Sequence, residues 1–204
     1  MTWLLLQLAD GSFPSGGFAH SGGLEAALVL GAGQLDIGAF LDATLHQTAN
    51  AALPFVRAAQ AAPEALAEHD AACDASLPLL GPNAASRAQG RAFLGAVRRI
   101  WPDLGLASQY MHHAPVFGAV FGQHGMTGSD ASAAWLHGTA RTVLSAAVRL
   151  GVLGPLEAQS ILAERAPLLE RLLGQVPRPV AHTAPLLEMF GAVHARLDGR
   201  MFQS

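Results

Sequence analysis

The sequence predicts an all-α protein. Hydrophobic residues make up 51% of the 204 residues, and Ala and Leu dominate them, whereas the strand-favouring Val, Ile, Tyr and Thr are sparse. Prolines also recur where helical patterns begin, and a first-turn proline loses no helical hydrogen bond. We expect one domain over residues 1–204, a bundle of about ten helices, several of them short, with a Gly/Ser-rich N-terminal loop and an extended C-terminal tail.

Apolar periodicity together with start and stop signals predicts the helices in order. They cover 3–9, 22–31, 36–60, 63–75, 83–99, 104–112, 115–123, 130–150, 155–173 and 185–197. First-turn prolines mark five of the starts, at Pro63, Pro82, Pro115, Pro155 and Pro185. Asp36 and Ser129 are candidate N-caps, and Pro54 predicts a bend in the third helix. The segments "GMTGSD" and "GQVPRPVAHTAP" are predicted loops.

The first loop, "PSGGFAHSGG", raises the possibility of a phosphate site, which the composition argues against. The chain contains no lysine, so a P-loop lysine, a Schiff-base lysine and a lysine general base are all excluded. The glycines also miss the spacing G-x-G-x-x-G, and no Val/Ile-rich strand precedes them. We therefore expect no nucleotide cofactor.

Charge and cysteine content limit the classes of partner and the cellular compartment that we expect. The net charge is -3 and no basic run occurs, so no nucleic-acid partner is expected. The opening "MTWLLLQLAD" has no basic segment and too short an apolar run for a signal peptide or a membrane span, which predicts no membrane partner. A single cysteine, Cys73, forms no internal disulfide, and a reducing, cytoplasmic compartment is expected.

The nine histidines suggest a metal site, but their spacing does not support one. H-E-x-x-H is absent, and the adjacent His112 and His113 would point about 100° apart on a helix. Sequence neighbours such as His20 and Ser21 rarely form a nucleophile and base, and no G-x-S-x-G elbow occurs. We therefore expect that the chain has no resident metal site and is not an enzyme. The other six histidines are expected at helix ends or on the surface: His46, His69, His124, His137, His182 and His194.

Charged and small residues indicate surfaces for other helices or partners. Glu25 falls in the first turn of a predicted helix, where a carboxylate complements the positive helix end. Two arginine faces are candidate docking sites, although most such stripes are only solvated; they consist of Arg87, Arg91 and Arg98, and of Arg141 and Arg149. Ala114, Gly118 and Gly122 recur every four residues and predict a groove for close helix packing or dimerisation.

Four groups of segments together resemble one family, in order and over nearly the whole chain. They are "LLLQLADGSFPSGGFAHSGGLEAAL", "ASRAQGRAFL", "HHAPVFGAVFG" with "AAVRLGVLGPLEAQ", and "VHARLDGRMFQS". This pattern is similar to the UreF family of urease accessory proteins. The resemblance implies an all-helical, non-enzymatic dimer that binds the scaffold UreD (also called UreH) and recruits the GTPase UreG. The assembly would load nickel into apo-urease.

The resemblance also implies partner-binding positions. The matching residues are His20, Ser21, Gly23, Leu24, Glu25, Ser86, Arg87, Gln89, Gly90, Arg149, Gly151, Gly154, Gln159, Arg200, Phe202 and Ser204. Met201 stands where Leu is more usual in the family, a near-isosteric change. Because the chain has no lysine, any family contact made by Lys is lost or made by Arg.

The C-terminal residues and three histidines carry two further expectations. Asp198 and Gly199 predict the end of the last helix, so "RMFQS" is expected to insert into the scaffold partner instead of the chain's own core. A rival hypothesis is a nickel-binding metallochaperone that uses His112, His113 and His124 as transient ligands.

Overall fold

The computed structural model describes residues 2–31, 34–194 and 196–203, and over these residues the fold is all-α, as predicted. The α-helices are α1 (Thr2–Ala9), α2 (Leu24–Leu30), α3 (Ile37–Ala51), α4 (Leu53–Ala61), α5 (Leu66–Ser76), α6 (Leu80–Ile100), α7 (His113–Gln123), α8 (Gly128–Arg149), α9 (Pro155–Glu164), α10 (Ala166–Leu173) and α11 (Pro185–His194). Short 3-10 turns occupy Gly17–Ala19, Pro63–Ala65 and Pro102–Leu104. Along the part of the chain that is described, no helix combines the length and apolarity needed to cross a membrane.

Helix α7 is the centre of the bundle, as its nearly continuous apolar sequence predicts. It packs against α4, α5, α6 and α8, and it is buried along most of its length. Gly118 and Gly122 lie against α4 so closely that a Cβ atom would overlap the carbonyl oxygens of Val56 and Gln60 respectively. The small-residue seam that includes Ala114 is thus filled by a helix of the same chain. It offers no free surface for a dimer, contrary to that part of the expectation.

The outer helices bring the two ends of the chain together. Helix α8 packs against α1, α3, α4, α9 and α10. Helix α11 packs against α2 and α6, and its contact with α6 is close because a Cβ atom on Gly81 would lie 3.0 Å from the Gly191 carbonyl oxygen. This packing places the C-terminal end of α11 beside the start of α2, where the Gly/Ser-rich loop ends.

Several helix boundaries differ from the prediction. The predicted helix 36–60 is two helices, which meet at Ala52, and Pro54 lies in the first turn of α4. The predicted helix 155–173 also divides, at Arg165. Asp36 caps α3 as expected, but Thr127 caps α8 in place of Ser129, because Thr127 and Asp130 exchange hydrogen bonds. The last helix ends at His194, earlier than residue 197.

The predicted helix 104–112 is wrong. The buried carboxylate of Asp70 accepts hydrogen bonds from the backbone N–H groups of Tyr110 (2.9 Å), Met111 (2.8 Å) and His112 (2.7 Å). These long-range bonds hold residues 110–112 outside a helix. The segment also crosses α6 at Gly90, where a Cβ atom would overlap the Met111 carbonyl oxygen.

Candidate interaction site: the motif loop and the C-terminal tail

The loop at residues 14–23, here called the motif loop, requires its glycines. Gly16, Gly22 and Gly23 have φ angles of 74°, 63° and 85°, which glycine adopts without the strain that a Cβ atom would cause. Gly23 is also pressed against α11, since a Cβ atom there would lie 3.3 Å from the Cβ of Phe190. The glycines therefore shape a tight backbone path, and they bring α2 and α11 into contact.

Glu25 in the first turn of α2 joins three parts of the chain. Its Oε2 accepts a hydrogen bond from the His194 ring Nε2 at 2.7 Å and from the Phe202 N–H at 3.2 Å. Its Oε1 accepts the Met201 N–H at 2.6 Å. Glu25 therefore does more than complement its own helix end, because its carboxylate also fixes α11 and the C-terminal residues.

The electrostatics of this carboxylate follow from those contacts. Burial acts to raise the pKa of Glu25, but hydrogen bonds from the Met201 N–H, the His194 ring and the Phe202 N–H outweigh it and hold the pKa below its ordinary value. Glu25 is 7% exposed and His194 is 1% exposed. The pair is thus a buried, charge-assisted contact.

Residues 200–203, the described part of the tail, pack on the chain's own core. Phe202 is 3% exposed and belongs to the main hydrophobic cluster, and the Gln203 N–H donates to the Ala19 carbonyl oxygen at 2.7 Å. The expectation that the tail leaves the chain's own core unsupported is therefore wrong. The tail packs on its own chain because Glu25 and the Ala19 carbonyl group provide hydrogen-bond acceptors for its backbone N–H groups. Ser204 lies outside the described residues.

Arg149 at the end of α8 holds the motif loop and the tail together from the other side. Its guanidinium lies between two rings, with 3.7 Å to the Phe18 ring centroid and 4.3 Å to that of Phe202. It also donates a hydrogen bond to the Phe18 carbonyl oxygen. This arrangement combines two cation–π contacts with one charge-assisted hydrogen bond.

The predicted partner-binding positions divide into a buried layer and an exposed one. His20, Ser21, Leu24, Glu25 and Phe202 are buried, so they support the surface and do not form it. Above them, Met201, a predicted position, is 56% exposed, and Phe18, which was not among the predicted positions, is 69% exposed. Arg200 is exposed as well. The exposed apolar side chains beside the motif loop are the features of this site that a partner protein can reach.

The other predicted positions lie away from this contact set. Arg87 on α6 stacks over the Tyr110 ring at 5.4 Å, Gln89 is half-buried, and Gly90 is buried under residues 111–113. Gln159 is exposed on α9. Gly151, which follows α8, has a φ angle of 72°, and Gly154 precedes α9.

The three histidines of the nickel-chaperone hypothesis do not converge. Both ring nitrogens of His112 are engaged, with Ser86 Oγ at 3.1 Å and Asp74 Oδ1 at 2.9 Å. The His113 ring faces Phe93, Phe117 and Trp135, and burial followed by the charge of His20 lowers its pKa to about 3. The His124 ring packs on Trp101 instead. His124 is eleven residues after His113, which corresponds to a rise of about 16 Å along a helix. Within the described ranges, no three metal-ligating side chains are grouped.

A cavity of about 410 Å³ lies beneath the motif loop, between α3, α6, α7, α8 and α11. His113, Phe117 and Trp135 form part of its wall. The ring nitrogens His113 Nε2 and Trp135 Nε1 are buried without a hydrogen-bond partner in the part of the chain that is described. The volume falls in the range of small-molecule cavities.

Sequence reasoning assigned no role to His194 or to Asp70. His194 ends α11, as a helix-end histidine was expected to, but it is buried against Glu25. Asp70 carried no motif at all. His194 follows the apolar residues Ala192 and Val193, whereas Asp70 comes directly after Glu68 and His69, where a further polar residue is unremarkable. The partner residues of both lie far away in sequence.

The fold and the site define an all-helical protein with a glycine-rich motif loop that binds its own C-terminal tail. Comparison with known proteins identifies the family to which the sequence is similar. Residues 32–166 match the family model described as UreF. Urease accessory protein F of Arabidopsis thaliana is 34% identical and aligns with all of this chain and 93% of its own length.

Two more relatives show the same breadth of similarity. Urease accessory protein F of Oryza sativa subsp. indica is 32% identical over 98% of this chain and 84% of its own length. Urease accessory protein UreF of Mycobacterium sp. (strain JLS) is 29% identical over 98% of this chain and 97% of its own length. The chain belongs to the UreF family of urease accessory proteins.

Proposed function

We propose that this chain is a non-enzymatic adaptor in urease maturation. In this proposal it binds the scaffold UreD (UreH) and recruits the GTPase UreG, and the assembly inserts nickel into apo-urease in the cytoplasm. Nickel is the cargo of the complex in this proposal, and the described residues include no group of three metal-ligating side chains that would hold it. Family membership supports the role.

The single observation that carries the proposal is the exposed apolar surface at the joined motif loop and tail. Phe18 and Met201 project from segments that Glu25 and Arg149 fix from below. A surface held by a buried carboxylate and a stacked guanidinium is pre-organised, and binding then costs less conformational entropy. Exposed apolar side chains on a rigid support favour a protein partner.

The remaining family positions keep a proposed role in the same assembly. Arg87, Gln89 and Gln159 lie on other parts of the surface or beside the cavity, so they would serve contacts other than the one at the tail. A homodimer within the complex is part of the proposal as well. Its interface must use a surface other than the Gly118–Gly122 seam, because α4 fills that seam.

The experiment is reconstitution of urease activation from UreD, UreG, apo-urease, nickel and GTP, with and without this chain. We expect activation to require the chain, and we expect a tagged chain to retain UreD and then UreG on a column. Activation that is equal without the chain, or a tagged chain that retains neither protein, would contradict the proposal. Size-exclusion chromatography of the same mixture with light scattering gives the number of copies.

A further inference from the structure

A second, smaller cavity lies between the motif loop and the last turns of α8. It has a volume of about 40 Å³. We call it the arginine recess; its lining includes Arg141, Arg149, Thr142, Ser145, His20 and Phe202. We propose that the arginine recess binds one small oxyanion of the size of a carboxylate. This inference goes beyond the adaptor role and does not depend on it.

Arg149 can form further hydrogen bonds only in the plane of its guanidinium group. Aromatic rings at 3.7 and 4.3 Å are stacked with its guanidinium, so further hydrogen bonds must form in the plane of the group. One in-plane donor binds the Phe18 carbonyl oxygen. A guanidinium has five N–H donors, and within the described residues Arg149 makes no ion pair. The other in-plane donors are therefore available to an acceptor in the recess.

Arg141 is the second cation and makes fewer contacts. Its Nε is buried with no hydrogen-bond partner, and across the described ranges no ion pair includes this residue. The nearby carboxylate of Asp10 accepts the Ser12 N–H at 2.7 Å and the Ser12 hydroxyl at 2.9 Å through its Oδ1, and the charge of Arg141 acts on it without a direct ion pair among the described residues. A buried guanidinium nitrogen without an acceptor is costly. An anion bound by the Arg141 guanidinium would offset that cost.

The composition of the recess selects the class of ligand. Two arginines line it and none of its described lining residues is acidic, while burial, followed by the charge of His194, lowers the pKa of His20. The Ser145 and Thr142 hydroxyls add polar groups to the wall. Planar guanidinium groups suit carboxylates and similar oxyanions, which accept two parallel hydrogen bonds. The volume exceeds that required by one water molecule, about 10–15 Å³, and suits a carboxylate group.

The oxyanion could come from two sources, a free anion in solution or a carboxylate on an acidic side chain of a polypeptide. Both present two carboxylate oxygens to a cavity that Arg141 and Arg149 line. In either case the ligand would connect α8 to the motif loop, since Arg149 already contacts Phe18 and Phe202. Binding should therefore raise the thermal stability of the full chain.

The test is thermal unfolding and isothermal titration of the full chain with sodium acetate, compared with sodium chloride at constant ionic strength. We expect a saturable rise in melting temperature with acetate that chloride does not reproduce. Arg141→Gln should weaken binding at least about tenfold, because a charge-assisted bond is lost. Arg91→Gln is the matched control, since Arg91 is exposed on α6, and it should bind as the wild type does.

A capped Ala-Glu-Ala tripeptide, titrated in parallel, distinguishes the sources. Tighter binding of the tripeptide than of acetate assigns the recess to a polypeptide carboxylate, and equal or weaker binding assigns it to a free anion. Both results support the proposal if Arg141→Gln weakens the binding at least about tenfold. No saturable binding of either probe, or equal binding to wild type and Arg141→Gln, would overturn it.

Discussion

The carboxylate of Glu25 and the imidazole of His194 lie 2.7 Å apart although 169 residues separate them in sequence. Both side chains are almost completely buried, at 9% and 1% exposed. The contact joins the first turn of α2 to the last turn of α11, and the same carboxylate accepts two N–H groups of the tail. Glu25 is thus a structural centre of the interaction site.

Glu25→Ala should lower the free energy of unfolding by about 2–5 kcal/mol, because it leaves the His194 ring and two backbone N–H groups without their acceptor. Denaturant unfolding measures the change. The control is Glu170→Ala, since Glu170 is exposed on α10, and that variant should change stability by less than about 0.5 kcal/mol. Equal stability of the two variants would show that the Glu25 contacts contribute little.

The pKa of Glu25 adds a dependence on pH. Its folded pKa lies below its ordinary value, so the stabilisation it provides is present above the ordinary pKa and is lost as the pH falls through the folded pKa.

Phe202→Ala should destabilise the chain by about 3–5 kcal/mol, because it removes a buried ring from the core and from one face of Arg149. Met201→Ala is the neighbouring control, since Met201 is largely exposed and only its backbone contacts Glu25. Melting temperatures of both variants measure the difference. If Phe202→Ala melts as the wild type does, the tail does not pack as described.

Gly118→Leu should prevent soluble folding, because even the first side-chain carbon overlaps the carbonyl oxygen of Val56 on α4. The same substitution at Gly95 is the control, since a Cβ atom there meets nothing within 4 Å. Leucine also has the higher helix propensity, so Gly95→Leu should fold and gain up to about 1 kcal/mol. Soluble yield and helical circular dichroism report both outcomes. A soluble, equally helical Gly118→Leu chain would disprove the close α4–α7 contact.

His113 makes stability depend on pH in the acidic range. Its folded pKa is about 3, compared with an ordinary value of 6.5, so between these values the unfolded chain binds a proton that the folded chain excludes. The free energy of unfolding should therefore decrease as the pH is lowered through this window, by up to about 1.4 kcal/mol per pH unit from this residue. His113→Phe should show a shallower decline in denaturant unfolding between pH 6.5 and pH 4. Equal slopes would contradict the burial of a neutral ring.

Much of the fold could be predicted because helix signals are local. Pro155 and Pro185 begin α9 and α11, and Asp36 caps α3, as expected from signals that act within one turn. The apolar sequence of α7 likewise indicated a central helix. Resemblance to the UreF family depended on several short segments together, and the comparisons confirm the family.

The arrangement of the site could not be predicted, because its contacts connect distant residues. Asp70 holds residues 40 to 42 positions later in the chain, and this overrode the helix expected over 104–112. The tail was expected to be unsupported by its own chain, yet Glu25 accepts the Met201 N–H from 176 residues away. Neither carboxylate occurs in a local pattern that specifies its partner. The pattern of Gly118 and Gly122 indicated close packing but could not distinguish a helix of the same chain from one of a second copy.

The most direct test of the proposed adaptor role is the dissociation constant of UreD for Met201→Gln, measured beside its melting temperature. Gln matches Met in length but is polar, so the variant should melt as the wild type does and bind UreD at least about tenfold more weakly. Leu156→Gln is the control, because Leu156 is 81% exposed on α9, and it should bind UreD normally. Unchanged UreD binding by a folded Met201→Gln chain would contradict the claim that the surface beside the motif loop receives the scaffold.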